Sequence, residues 1–231
     1  VLPGRPWIAL VVAALVSAPV GAFGYQFSVT VLAPTDKALL ISGKVMLIGR
    51  IDDAARAAEV KYLVDGQGLR AIPVKAGGFS QVVNLSPGKH EIKVSAVGHN
   101  AHTLTVTVDP SPRDPDTVYK THPGVAENKC GDCHDARSKG TIGDLTVCAA
   151  SCHGDQKGGK FLHGPIGSGQ CIPCHDPHGS VNKRLLKGED KELCFLCHNA
   201  EDVEPHYRET KKLRCLNCHD PHGSDKKFIL K

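Results

Sequence analysis

All ten cysteines of this 231-residue chain lie between Cys130 and Cys218, and ten of its 13 histidines lie from His122 onward. Four sites read C-x-x-C-H: Cys130/Cys133/His134, Cys171/Cys174/His175, Cys194/Cys197/His198 and Cys215/Cys218/His219. A fifth has one extra residue, running from Cys148 to Cys152 with His153 directly after. Together the five sites use every cysteine. The spacing has a mechanical reading: two thiols at this separation add to the two vinyl groups on one edge of a haem, and the next histidine lies under the iron as its axial ligand. A three-residue gap still permits this. Zinc would use paired C-x-x-C at tetrahedral spacing, with no need of a histidine after every second cysteine. A disulfide framework would also use an even cysteine count, but gives no reason for the five histidines. A thioredoxin-like dithiol needs a βαβ setting, which the sequence lacks. The expected cofactors are therefore five covalently bound haem c groups.

Outside the motifs the same half holds five further histidines, His122, His163, His178, His206 and His222, one for each motif. They are the candidate distal ligands, and the sequence leaves open which serves which haem. The only methionine, Met46, falls in a predicted strand far from the motifs. A Met/His couple raises the potential, so low-potential bis-histidine centres are expected. No residue reads as catalytic, and electron transfer is the expected role. The alternative is a multihaem reductase with one open iron. Its open site would fall at the odd Cys148–His153 haem or in the first repeat, and no C-x-x-C-K variant is present.

These residues sit in a repeat. The run from Cys171 to Ser180 recurs 44 residues later from Cys215 to Ser224, each ending in Asp-Pro-His-Gly-Ser, and a weaker copy starts at Cys130. Each copy has a histidine eight or nine residues upstream: His122, His163 and His206. The first copy departs from the pattern, with Asp135-Ala136-Arg137 in place of Asp-Pro-His. The first two copies are followed by a second Cys-His site, which makes two full units and a truncated third. Aromatic and apolar residues are too sparse here to offset chain entropy by burial, so the haems are expected to supply the core.

The other half has strand periodicity. Alternation predicts strands over 27–32, 44–51, 59–64, 69–74, 79–85, 90–96 and 103–108, separated by Gly, Pro, Asp and Asn turns. Seven short strands suggest an antiparallel sandwich. Three prolines, Pro110, Pro112 and Pro115, predict a stiff extended linker. At the N-terminus, Arg5 precedes an apolar run from Trp7 to Val16, and Val20-Gly21-Ala22 offers small residues for cleavage. The expected organisation is a signal peptide (1–22), an immunoglobulin-like β-sandwich (23–110), a Pro-rich linker (111–118) and a pentahaem cytochrome c domain (119–231). The fold class is thus multidomain: an all-β module followed by a haem-packed, mostly irregular domain with short α-helices. Cleavage of the signal would leave no transmembrane span and place the protein in the periplasm or at the cell surface.

The stretch Gly77-Gly78-Phe79-Ser80, with Leu85-Ser86-Pro87-Gly88-Lys89-His90-Glu91-Ile92, resembles bacterial immunoglobulin-like modules; with no cysteine for a disulfide, it is not an antibody-type domain. Residues 122–222 resemble the doubled C-x-x-C-H multihaem cytochromes, above all from His163 to His198. That resemblance implies closely stacked haems, mostly bis-histidine, and electron exchange with other redox proteins, whether other multihaem cytochromes or copies of the same chain. Nucleic acid is not an expected partner: the 28 basic and 24 acidic residues are interspersed, for a net charge of +4, without the basic stripe such binding needs. Each haem brings propionates, and a bound ion's own charge counts. Lys129, Lys157, Lys183, Arg184, Lys211, Lys212 and Arg214 are candidate propionate partners.

Overall fold

The computed structural model describes residues 27–53, 55, 57–134, 147–156, 158–199, 201–203 and 214–231. The expected signal peptide, Asp135-Ala136-Arg137, Lys157, His206, Lys211 and Lys212 lie outside the described residues.

The alternating segments form strands. They are β1 (Phe27–Ala33), β2 (Ala38–Leu40), β3 (Lys44–Ile51), β4 (Glu59–Val64), β5 (Gln67–Pro73), β6 (Gly78–Asn84), β7 (Gly88–Ser95), β8 (His99–Asn100) and β9 (His102–Val108). They make two sheets, one of order β6-β3-β1-β8 and one of order β2-β9-β7-β4-β5. The architecture is an immunoglobulin-like all-β sandwich. Strand periodicity drives it: in β3, Val45, Leu47, Gly49 and Ile51 are buried while the residues between them are half-buried or exposed. Leu47, Val60, Ile72, Ile92, Val94, Leu104 and Val106 are fully buried between the sheets. Each such side chain stabilises the fold by about 1.5–3 kcal/mol. The seven predicted strands are present. β2 and β8 escaped the sequence reading because three and two residues carry no periodicity. Both pair in parallel, β2 with β9 and β8 with β1.

The linker is not simply extended. Asp114 accepts the Asp116 N–H at 2.9 Å and opens a short 3-10 turn over Pro115–Thr117. Val118 then bridges Leu39, and the Tyr119 N–H donates to the Leu39 carbonyl at 2.7 Å. Tyr119 is buried as part of the sandwich core. The second half thus leaves along the edge of the five-stranded sheet.

Beyond Tyr119 the elements are short. They are β10 (Lys120–Thr121), α1 (Pro123–Ala126), α2 (Val147–Ser151), β11 (Phe161–Leu162), α3 (Gly164–Gly167), β12 (Gly179–Ser180), α4 (Asp190–Cys194) and β13 (Gly223–Ser224). β10 pairs with β12 and β11 with β13, both antiparallel. Among the described residues, no hydrophobic side chain after Tyr119 is buried.

Candidate haem sites

Each motif is a single tight turn that brings its histidine back over its first cysteine. The Cys130 carbonyl accepts the His134 N–H at 2.8 Å; Cys171, Cys194 and Cys215 accept from His175, His198 and His219, each at 3.0 Å. The fifth motif closes in the same way despite its extra residue: the Cys148 carbonyl accepts the His153 N–H at 2.8 Å. The added residue is absorbed by α2, which spans the insertion. The relation between first cysteine and histidine is therefore common to all five motifs.

The spare histidines are positioned by two devices. His122 and His163 are the residues before Pro- and Gly-initiated one-turn helices, α1 and α3. His178 and His222 sit in Asp-Pro-His turns, where the Asp176 and Asp220 carboxylates accept the histidine N–H at 2.9 and 3.0 Å. Four of the five expected spare histidines lie among the described residues, and each faces one motif histidine. The ring centres are 6.2 Å apart for His122–His153, 6.1 Å for His134–His178, 6.1 Å for His163–His198 and 6.0 Å for His175–His222. An imidazole nitrogen sits about 2 Å from a bound first-row metal, so two rings on opposite sides of one iron have centres about 6 Å apart. The donor sets fit haem: a histidine on each side, with two free thiols beside one of them. His219 and His206 are the remaining motif and spare histidines, and His206 lies outside the described residues.

Second contacts fix the rings. The His175 Nδ1–H donates to the Arg184 carbonyl at 2.9 Å, and His219 does the same to Phe228. This leaves Nε2 as the ligating nitrogen, the usual outer-shell arrangement at metal-bound histidine. His163 Nδ1 donates to the Pro221 carbonyl at 2.9 Å. His122 differs: its Nδ1 accepts the Gly124 N–H at 3.1 Å, and its ring lies at 74° to His153. Burial lowers the pKa of His122, His178 and His222. It thereby favours the neutral imidazole that ligation requires.

The thiols follow the chain order. Cys148 is hydrogen-bonded to Cys171, and Cys194 to Cys215. Burial, then the neighbouring Cys197, raises Cys174, while Cys194 is pushed up to about 12, chiefly by burial. A reactive redox dithiol needs a depressed pKa, and these thiols go the other way. Among the described residues, the one cluster of three metal-type donors is Asp190, Cys194 and Cys215. It is no zinc site in waiting, because Asp190 is engaged: its Oδ2 accepts from Arg214 Nε at 3.4 Å and from the Leu216 N–H at 3.3 Å. Of the candidate propionate partners, Lys129, Lys183 and Arg214 already pair with Glu127, Asp116 and Asp190. The sequence reading missed those carboxylates, which lie two to 67 residues away.

In the sandwich, His90 pairs with Asp65 and His99 bonds the Asp52 carbonyl, while Met46 stays in β3.

The doubled CXXCH motif family matches residues 163–203 and 207–231. The multiheme cytochrome MtrA of Shewanella baltica is 34% identical over 90 residues, covering 34% of this chain and 26% of that protein. The chain thus spans about a quarter of the length of this curated relative. The solved fibronectin(III)-like modules of CbhA from Clostridium thermocellum are similar at 21% identity and a TM-score of 0.28, over 35% of this chain and 96% of theirs. An engineered protein is similar at 13% identity and a TM-score of 0.31, over 37% of this chain and 21% of its own. Residues 163–203 and 207–231 thus carry the doubled CXXCH motif of haem-binding proteins, and part of this chain is similar to a multiheme cytochrome, behind a two-sheet β-sandwich.

Proposed function

We propose that this chain is an exported pentahaem cytochrome that carries electrons between redox partners through low-potential, bis-histidine haems. The observation that carries this reading is the facing of four motif histidines by four spare ones at 6.0 to 6.2 Å. By count, His206 completes the fifth pair with His219. A bound haem supplies a one-electron iron couple. The chain's own part is to tether each ring through two cysteines, to hold an imidazole on each face and to keep methionine sulfur away. The partners are other redox proteins, among them other multihaem cytochromes or further copies of this chain, as in a surface conduit or filament. The sandwich would serve as the docking module. Among the described residues no helix is long and apolar enough to cross a membrane.

Two measurements test the reading. Intact mass should show five haems on the chain. Carbon monoxide added to the dithionite-reduced protein should leave the visible spectrum unchanged, because every iron holds two imidazoles. A shift worth one haem would turn the assignment towards the reductase, with the Cys148–His153 haem as first suspect because its facing ring is set differently.

A further inference from the structure

The ring pairs are not local. His178 lies three residues from His175, yet it faces His134 of the preceding repeat. His222 lies three residues from His219, yet it faces His175 of the preceding repeat. The upstream histidines behave differently: His122 faces His153 and His163 faces His198, in each case the second motif of the same repeat. The small sheets explain the pattern. β10, just before His122, pairs with β12, just after His178; β11, just before His163, pairs with β13, just after His222. The His122 N–H donates to the His178 carbonyl at 3.0 Å, and the His163 N–H to the His222 carbonyl at 3.2 Å. Each two-stranded sheet thus sets two distal histidines side by side, one from each of two successive repeats.

We propose that the repeats are interlocked by ligand exchange: the Asp-Pro-His histidine of one repeat caps the first haem of the repeat before it, and in the two full repeats the upstream histidine caps the second haem of its own repeat, while the truncated third repeat, with no second motif, keeps its upstream histidine for its single haem. This rests on the haem reading above and adds to it the assignment of ligand to haem. It also accounts for the departure of the first repeat. Residues 1–129 hold no C-x-x-C-H, so within these 231 residues a histidine at Asp135-Ala136-Arg137 would meet no preceding motif. A further consequence is that each of the two full repeats completes its haems only when the next has folded onto it.

Counting low-spin haems in single and double variants of the full chain decides between exchange and local capping. Under exchange, His175 and His222 hold one and the same haem. His175→Ala alone, His222→Ala alone and the double variant should then each leave four of the five haems low-spin by electron paramagnetic resonance and optical spectroscopy. The count holds whether or not the altered motif still attaches its haem. Under local capping the two histidines belong to different haems, and the double variant would leave three, which overturns the proposal. The His134/His178 pair should repeat the result independently. Intact mass of the unaltered chain separates the two levels: absence of haem there defeats the haem reading itself, whereas five haems with three low-spin in the double variant defeats only the exchange.

Discussion

His90 shows how much a single ring can carry. Its Nδ1 lies 2.8 Å from Asp65 Oδ2 and its Nε2 lies 2.8 Å from the Ser86 carbonyl. Neither partner can donate, so both nitrogens carry protons and the bound form is the imidazolium. The hydrogen bond to Asp65, then that to Ser86, raises its pKa. A raised histidine contributes stability that is complete below about 6.5 and lost as pH rises through the folded value. Asp65 is lowered, first by the Glu91 N–H and then by His90. Its contribution holds above about 3.8 and fades as pH falls. The sandwich should therefore lose stability on going from pH 6 to pH 9, and His90→Phe should flatten that slope in denaturant melts. Equal slopes in both proteins would refute the clamp. At the haems, the ring planes give a second expectation. Near-parallel imidazoles split the iron orbitals between which the unpaired electron is shared, and crossed ones leave them nearly equal. His134–His178 and His163–His198 lie at 7° and 12°, His122–His153 at 74°. One ferric low-spin signal should be more anisotropic than the others and should vanish in His122→Ala.

The elements that position the ligands depend on two glycines. A Cβ on Gly179 would come within 2.6 Å of the Tyr119 hydroxyl and 2.7 Å of the Lys120 carbonyl; one on Gly223 would meet the Phe161 carbonyl at 2.9 Å and Gly158 closer still. Gly223→Ala should therefore separate β11 from β13, at about 1–3 kcal/mol for overpacking. It should also free the distal ligands His163 and His222 together, so that two haems take up carbon monoxide. Gly167→Ala, where nothing lies within 4 Å, should do neither, and uptake equal to that of Gly223→Ala would defeat the account. Asp190, buried at 4% exposure, ties α4 to the last motif through Arg214 and Leu216. Asp190→Ala should cost about 1–3 kcal/mol in Soret-monitored melts, while Glu127→Ala, which removes an exposed ion pair with Lys129, should cost little. The sequence carried the motifs, the spare histidines and seven strands, because each is written in a local spacing or a period. It did not carry the pairing of His178 with His134 or of His222 with His175. Those contacts span 44 and 47 residues and join repeats whose sequences look alike, so spacing assigns no partner. Asp190 was illegible for a related reason: nothing in its neighbourhood announces that Arg214 will fold against it.

At the scale of the whole molecule the two halves are held by different physics. Among the described residues the hydrophobic core runs from Val29 to Tyr119 and includes no later residue. Large apolar side chains of the second half, Leu162, Val181, Leu196, Phe228 and Leu230, are exposed. Porphyrins laid against such residues would give them something to pack on, and two thioethers with two iron bonds per haem would restrain the chain between. Without haem, the described residues of that half have only short helices, turns and two-residue strands to set against conformational entropy, as in small metal-dependent domains that are unfolded when apo. The sandwich needs none of this, since its sheets and core are complete by Tyr119. The full chain made without haem attachment should therefore keep one cooperative denaturant transition, with a slope near that expected for exposing the sandwich alone. Hydrogen exchange should agree: amides of β3, β7 and β9 should stay protected in the haem-free chain, while those of β10 to β13 and of the motif turns should exchange as in an unfolded peptide and become protected only in the haem-loaded protein. Protection of the motif turns without haem would mean that the polypeptide builds this half by itself, and the haems would then be cargo rather than core.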